Sequence, residues 1–194
     1  MPKTKYYNDF SSEKCMFKYF YKMPMQFSNI VMYSDGEHLT GLNFCDDSLG
    51  DKNIQEKFLP IFKITSEWLD LYFSGKEPNF LPKYKVQDAT PFQMAVVDAT
   101  KNIPYASTTT YGDIAKIVAK KFAKKEMSAR AVGRAVGWNP ICIIIPCHRV
   151  VGKNGNLTGY GGGLQNKIEL LKLEHIDLSK FFVPKEYSKK GIKF

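Results

Sequence analysis

Arginine is scarce in this chain. Of its 194 residues only Arg130, Arg134 and Arg149 are arginine, and all three fall in one short stretch. Cysteine is sparse too, at positions 15, 45, 142 and 147. No two cysteines form a CxxC pair, which excludes a zinc ribbon and a thioredoxin-like redox motif. The opening Met1-Pro2-Lys3-Thr4-Lys5-Tyr6-Tyr7 has no apolar core of the kind a secretory leader needs. No run approaches the roughly 20 apolar residues of a membrane helix, and the terminal Gly191-Ile192-Lys193-Phe194 is not a prenylation box. There is no internal repeat and no low-complexity tract. These absences point to a protein with reduced thiols, no membrane partner and a cytoplasmic location, or a nuclear one in a eukaryote.

What is present is ordinary for a folded chain, with 44% hydrophobic and 24% charged residues. The charge is lopsided. Lys and Arg total 28 against 19 Asp and Glu, a formal +9. That suits a polyanionic partner such as nucleic acid, and equally suits a solvated lysine-rich surface. Residues 16–45 are aromatic and β-branched, reading as strands over 16–23, 27–34 and 37–45 with a hairpin turn at Asp35-Gly36. The polar connection 46–59 leaves room for a short helix. Ile61, Ile64, Trp68, Leu69, Leu71 and Tyr72 make a helical stripe over 61–74 that Gly75 ends. Two prolines in 76–89 mark a linker.

A different texture begins at 90. Thr90-Pro91-Phe92-Gln93 is a helix start with a capping box, and Phe92, Ala95, Val96 and Ala99 face inward. Thr110-Tyr111-Gly112-Asp113 opens a second helix with Ile114, Ile117 and Val118 on one face. After a lysine-rich connection, Ser128 caps a short helix, Ala129–Gly137, built of small residues. Two helices so joined suggest a helix-turn-helix, although helix pairs are more often mere packing. Asn139-Pro140 turns the chain, and 141–145 reads as a buried strand that delivers Cys147. Asn154-Gly155 is a tight turn, Gly159–Gly163 a loop open to close approach, and Leu164–Glu174 the last clear helix. Phe181 and Phe182 are expected to pack back. Taken alone, Cys147-His148 reads as a buried cysteine beside a structural histidine. The thiolate is nonetheless the reactive form of any cysteine, and His148 the nearest base.

The longer context is specific. Ile145-Pro146-Cys147-His148-Arg149-Val150-Val151-Gly152 is preceded by Arg130-Ala131-Val132-Gly133 and Asn139-Pro140. It is followed by Gly159-Tyr160-Gly161-Gly162-Gly163 and by Leu170-Leu171-Lys172-Leu173-Glu174. Together with Thr90-Pro91-Phe92-Gln93, Ile103-Pro104-Tyr105 and Thr110-Tyr111-Gly112, this stretch resembles the O6-alkylguanine-DNA alkyltransferase family (methylated-DNA–protein-cysteine methyltransferases). The resemblance is strong over about 90–183. Before that it rests on the strand-rich pattern.

The resemblance implies an α/β protein of two domains. Residues 1–89 would form a small antiparallel sheet with a helix, ribonuclease-H-like, and its linker. Residues 90–194 would form a mostly helical domain with a helix-turn-helix. The implied activity is DNA repair by direct reversal, a single irreversible transfer of the alkyl group from O6-alkylguanine to Cys147, without a cofactor. His148 would take the thiol proton through a water, Glu174 would orient His148, Asn139 would tie the recognition helix to the active-site loop, and Tyr111 would help the base leave. Arg130 would fill the gap left by a flipped base, with Ser128, Ala129 and Arg134 beside it against the minor groove of double-stranded DNA. Val150, Tyr160, Gly161, Cys142 and Val136 would line the base pocket. Two departures stand out: Cys142 where proline is frequent, and Gly161 where serine is. No metal is expected, since residues 1–89 offer only Cys15, Cys45 and His38, and the protein is expected to be a monomer. The alternatives are a module that binds alkylguanine without removing it, a cysteine hydrolase that turns over, and a regulatory methyl sensor.

Overall fold

The computed structural model describes residues 16–24, 26–45, 54–188 and 192. The lead-in 1–15 and most of the 46–59 connection therefore lie outside the described residues. The chain divides into two units. Among the described residues, one comprises those from 16 to Asp88 together with Pro140–Ile144, and the other Ala89–Asn139 with those from Ile145 onward.

The N-terminal unit is a sheet of order β3-β2-β1-β4 with one helix. Its strands are β1 (Phe17–Tyr21), β2 (Asn29–Ser34), β3 (Leu39–Cys45) and β4 (Gln55–Glu56). β1, β2 and β3 pair antiparallel as expected. β4 runs parallel to β1, so the sheet is mixed. The described end of the polar connection is thus a strand, not a helix. β2 is central, and Ile30 to Ser34 are all buried, which explains its unbroken apolar run. The turn from β2 to β3 is held by Asp35, whose Oδ1 accepts from the amides of Glu37 at 3.0 Å and His38 at 2.8 Å.

Helix α1 (Pro60–Phe73) buries Ile61, Phe62, Thr65, Trp68, Leu69 and Tyr72. The expected stripe included Ile64 and Leu71, but both are exposed. Thr65 takes a buried place because its hydroxyl donates back to the Ile61 carbonyl at 2.8 Å, so its polarity costs little there.

Three helices begin the C-terminal unit: α2 (Pro91–Lys101), α3 (Tyr111–Lys121) and α4 (Ala129–Gly137). All three start where the sequence predicts. Thr90 and Gln93 form the capping box of α2, Thr110 accepts from Asp113 N in α3, and Ser128 accepts from Ala131 N in α4. The helices bury Ala95, Val96 and Val97, then Ile114, Ala115, Val118 and Ala119, then Val132, Ala135 and Val136. Ile117, expected on the inner face, is exposed.

The two-residue strands β5 (Thr109–Thr110) and β6 (Val150–Val151) pair in parallel. Helix α5 (Leu164–Leu173) packs Leu164, Ile168 and Leu171 with Val151 and Leu157, and Phe181 joins this cluster. Phe182 is exposed, although its backbone pairs with Asn156. Between them, Asn154 and Gly155 are both left-handed, at φ 58° and 78°. A Cβ at Gly155 would lie 2.2 Å from the Lys180 carbonyl oxygen, so only glycine fits this turn.

A further expectation fails. Residues 141–145 do not form a strand leading to Cys147. Ile141 makes a single bridge to Leu42, with Cys142 N donating to Leu42 O at 2.8 Å, and the chain then turns. Ile143 sits at φ 69°, a conformation that opposes a β-branched residue and that no continuous strand adopts. The residue is fully buried, and its apolar burial offsets that strain. Cys147 instead opens a single 3-10 turn, Cys147–Arg149.

Candidate active site

The 3-10 turn is what brings Cys147 and His148 into one site. On a strand their side chains would point to opposite faces. Here both are buried, with Cys147 4% exposed and His148 0%. Pro146 precedes them at ψ 61°, where no strand can continue. The Asn139 side chain spans the loop that separates it from the turn. Its Nδ2 donates to the Ile145 carbonyl at 2.8 Å and to Cys147 Sγ at 3.0 Å. Asn139 follows directly on α4 and its cap Trp138, so the end of that helix is tied by hydrogen bonds to the sulfur. An N–H donor on sulfur favours the thiolate over the thiol.

His148 Nε2 lies 2.8 Å from Glu174 Oε1, and Glu174 is fully buried at the C-cap of α5. Burial holds the histidine below its ordinary pKa of 6.5 against the opposing pull of Glu174, so it is neutral. A neutral imidazole facing a carboxylate donates from Nε2, which leaves Nδ1 as the basic nitrogen.

Arg149 sets the state of that carboxylate. Its Nε donates to Glu174 Oε2 at 2.9 Å and its Nη2 to Oε1 at 2.9 Å, while Nη1 reaches the Ile103 carbonyl at 2.8 Å. The guanidinium also lies 5.5 Å over the Tyr105 ring. The Ala106 amide donates to Oε2 at 3.3 Å. Desolvation pushes the Glu174 pKa up, yet His148 and Arg149 together bring it down to about 2. Glu174 is therefore ionised over the whole physiological range.

Tyr111, the first residue of α3, places its hydroxyl 3.3 Å from the Thr158 carbonyl and 3.1 Å from that of Gly159. Burial, with the charge of Cys147 adding to it, holds the phenol well above its ordinary pKa. It is a donor at every working pH. Tyr160 stands edge-on to His148, ring centres 6.5 Å apart.

The remaining expected residues distribute as follows. Ser128, Ala129, Arg130 and Arg134 are exposed on the first two turns of α4 and its cap. Val136 is buried on that helix and Val150 in β6. Gly161 is exposed, and a Cβ there would lie 3.5 Å from the Gly137 carbonyl oxygen, so the space admits a serine. Cys142 belongs to the N-terminal unit, its Sγ 3.9 Å from Asn43 Oδ1. The small residues of α4 do not form one open face. Ala135 is buried and Gly133 meets the Tyr111 ring. Among the described residues no group of three or more His, Cys, Asp or Glu could hold a metal, and Cys15 lies outside them.

Two residues of the site are not evident in the sequence. Arg149 lies in the motif, but its partners are remote in the chain. Lys167 falls on the apolar stripe of Leu164, Ile168 and Leu171, where a lysine is out of place, and that misfit is its one signal. Its Nζ donates to the Val150 carbonyl at 2.6 Å and lies 3.4 Å from that of Thr158.

This geometry has close relatives. Residues 91–176 match the DNA-binding domain of 6-O-methylguanine DNA methyltransferase, and residues 16–81 match the ribonuclease-like domain of the same proteins. A methylated-DNA–protein-cysteine methyltransferase of Haemophilus influenzae is 37% identical over 160 residues, covering 81% of this chain and 87% of its own. That of Methanosarcina acetivorans is 43% identical over 153 residues, covering 75% and 90%. The crystal structure of Mycobacterium tuberculosis OGT in complex with DNA superposes with a TM-score of 0.70 at 34% identity, covering 85% of this chain and 94% of that one. The chain belongs to the 6-O-methylguanine DNA methyltransferase family.

Proposed function

We propose that this protein repairs O6-alkylguanine in DNA by taking the alkyl group, methyl foremost, onto its own Cys147. The observation that carries this reading is the hydrogen bonding of one buried turn, Cys147–Arg149, to Asn139 on one side and Glu174 on the other. The Cys147 proton leaves through a water to His148 Nδ1, the nitrogen opposite the one that Glu174 holds. Sulfur then attacks the alkyl carbon, the S–C bond forming as the C–O6 bond breaks. The electron pair of that bond stays with the guanine, and the Tyr111 hydroxyl donates toward N3 to offset the charge. No cofactor is needed, because the thiolate is both nucleophile and final acceptor. The thioether has no base to release it, so each molecule acts once.

The substrate is double-stranded DNA, and the protein acts as a monomer where DNA is held: the cytoplasm, or the nucleus of a eukaryote. The complex of the Mycobacterium tuberculosis relative with DNA supports this partner. A duplex hides O6, so the base is flipped out, at a cost of a few kcal/mol. Arg130, exposed in the first turn of α4, fills the vacated stack from the minor groove, flanked by Ser128, Ala129 and Arg134. The carbonyls of Cys147 and Val150 accept from the exocyclic amine, and the Gly161 amide donates toward O6. Val136 and Tyr160 bound the pocket.

The test is an oligonucleotide carrying labelled O6-methylguanine. Label is expected on Cys147 up to one equivalent and then no further, with none transferred to Cys147→Ser. Continued turnover, or label on the serine variant, sinks the proposal. Tight binding of the lesion without any transfer would favour a recognition module instead.

A further inference from the structure

Lys167 is fully buried at the middle of α5, and no carboxylate among the described residues pairs with it. A buried ammonium without a counter-charge is costly. The charges around it decide what balances it. Arg149 and Glu174 neutralise one another. His148 is neutral, because burial lowers its pKa, and the nearby Lys167 charge adds to that lowering. Tyr111 remains a protonated phenol. That leaves Cys147. Burial pushes Lys167 down to about 8, and a charge on Cys147 opposes the fall.

We propose that Lys167 is the positioning cation of the site: tied to the carbonyls of Val150 and Thr158, it serves as counter-ion to the Cys147 thiolate. The two carbonyls hold the ammonium in place from β6 and from the start of the glycine loop. A carbonyl has a second lone pair, so Val150 remains able to accept from a base. His148 removes the proton, and Lys167 stabilises the anion left behind. The two roles are separate: His148 carries the proton away, and the fixed cation keeps the thiolate available at neutral pH.

The proposal rests on Cys147 being the alkyl acceptor, and its test uses no DNA, so the two can fail apart. The intact protein is treated with iodoacetamide across pH 5–10, with Cys147→Ser as background. The thiolate displaces iodide and gains a carboxamidomethyl group, so the rate follows its ionisation. Lys167→Met is expected to move the inflection to higher pH and slow the reaction at pH 7 by about tenfold, while Lys167→Arg keeps the wild-type inflection. A folded Lys167→Met protein with an unshifted inflection overturns the proposal. Where the methionine variant does not fold, the Lys167 side-chain resonance is titrated in wild type and in Cys147→Ser. It is expected to lose its proton at lower pH in the serine variant, and equal midpoints overturn the proposal. A thiolate that behaves as expected in a protein taking no label from O6-methylguanine would count against the proposed function alone.

Discussion

At the scale of single residues, the site is a set of protonation states fixed by neighbours. Glu174 is ionised because His148 and Arg149 both hydrogen-bond it, and His148 is neutral because it is buried. Both shifts couple stability to pH. The unfolded histidine binds a proton near 6.5 and the folded one does not, so stability is expected to fall as pH drops through 6.5. The Glu174 contribution is complete above 4.5 and is lost as pH falls from there toward about 2. Urea midpoints measured from pH 7.5 to pH 4 check the first slope, which His148→Gln should flatten between pH 7.5 and pH 5.5. Arg149→Met leaves a buried carboxylate without its main partner and is expected to cost about 3–5 kcal/mol by equilibrium denaturation. Arg149→Lys should recover little of it, since an ammonium cannot replace the three-way fork to Glu174 and Ile103. The Cys-His pair was legible in the chain itself, and the pairing of His148 with Glu174 only through the family resemblance. The grip of Arg149 was not, because it depends on residues 25 apart in sequence meeting inside a packed unit.

At the scale of elements, the helix starts were the most legible part of the chain. Thr90, Thr110 and Ser128 cap α2, α3 and α4 at the expected positions, because a cap is a contact within four residues. Inner faces were read less well, since Ile64, Leu71 and Ile117 are exposed. Hydrophobicity names candidates for a face, but packing partners choose among them. Helix α4 shows the division of labour. Val132, Ala135 and Val136 hold it to the unit, while Arg130 and Arg134 project outward. Arg130→Ala is accordingly expected to slow transfer from duplex oligonucleotides by about tenfold or more, in line with the few kcal/mol of base extrusion it would offset. Transfer from the free base O6-benzylguanine should change little. Equal slowing of both substrates would place Arg130 in the chemistry, or in folding, rather than in base extrusion.

At the scale of the whole molecule, the +9 charge and the exposed arginines of α4 predict binding to any DNA, damaged or not, that weakens with salt. For about four phosphate contacts, affinity should drop on the order of a hundredfold between 50 and 200 mM salt, measured by fluorescence anisotropy with an unmodified duplex. A flat profile would mean that the charge is only a solvated surface. Sequence alone determined the places of helices α2 to α5, the caps, the turn at Asn154-Gly155 and the covalent neighbours Pro146, Cys147 and His148. These are set by dihedral preferences and by contacts a few residues long. Only the tertiary structure decided that 140–144 joins β3 of the N-terminal unit, that Ile143 turns left-handed where a strand was expected, that Arg149 grips Glu174, and that Lys167 is buried on the Val150 carbonyl. Each of these holds a strained backbone or a buried charge, which local propensity disfavours and which persists only because distant residues supply the burial and the partners.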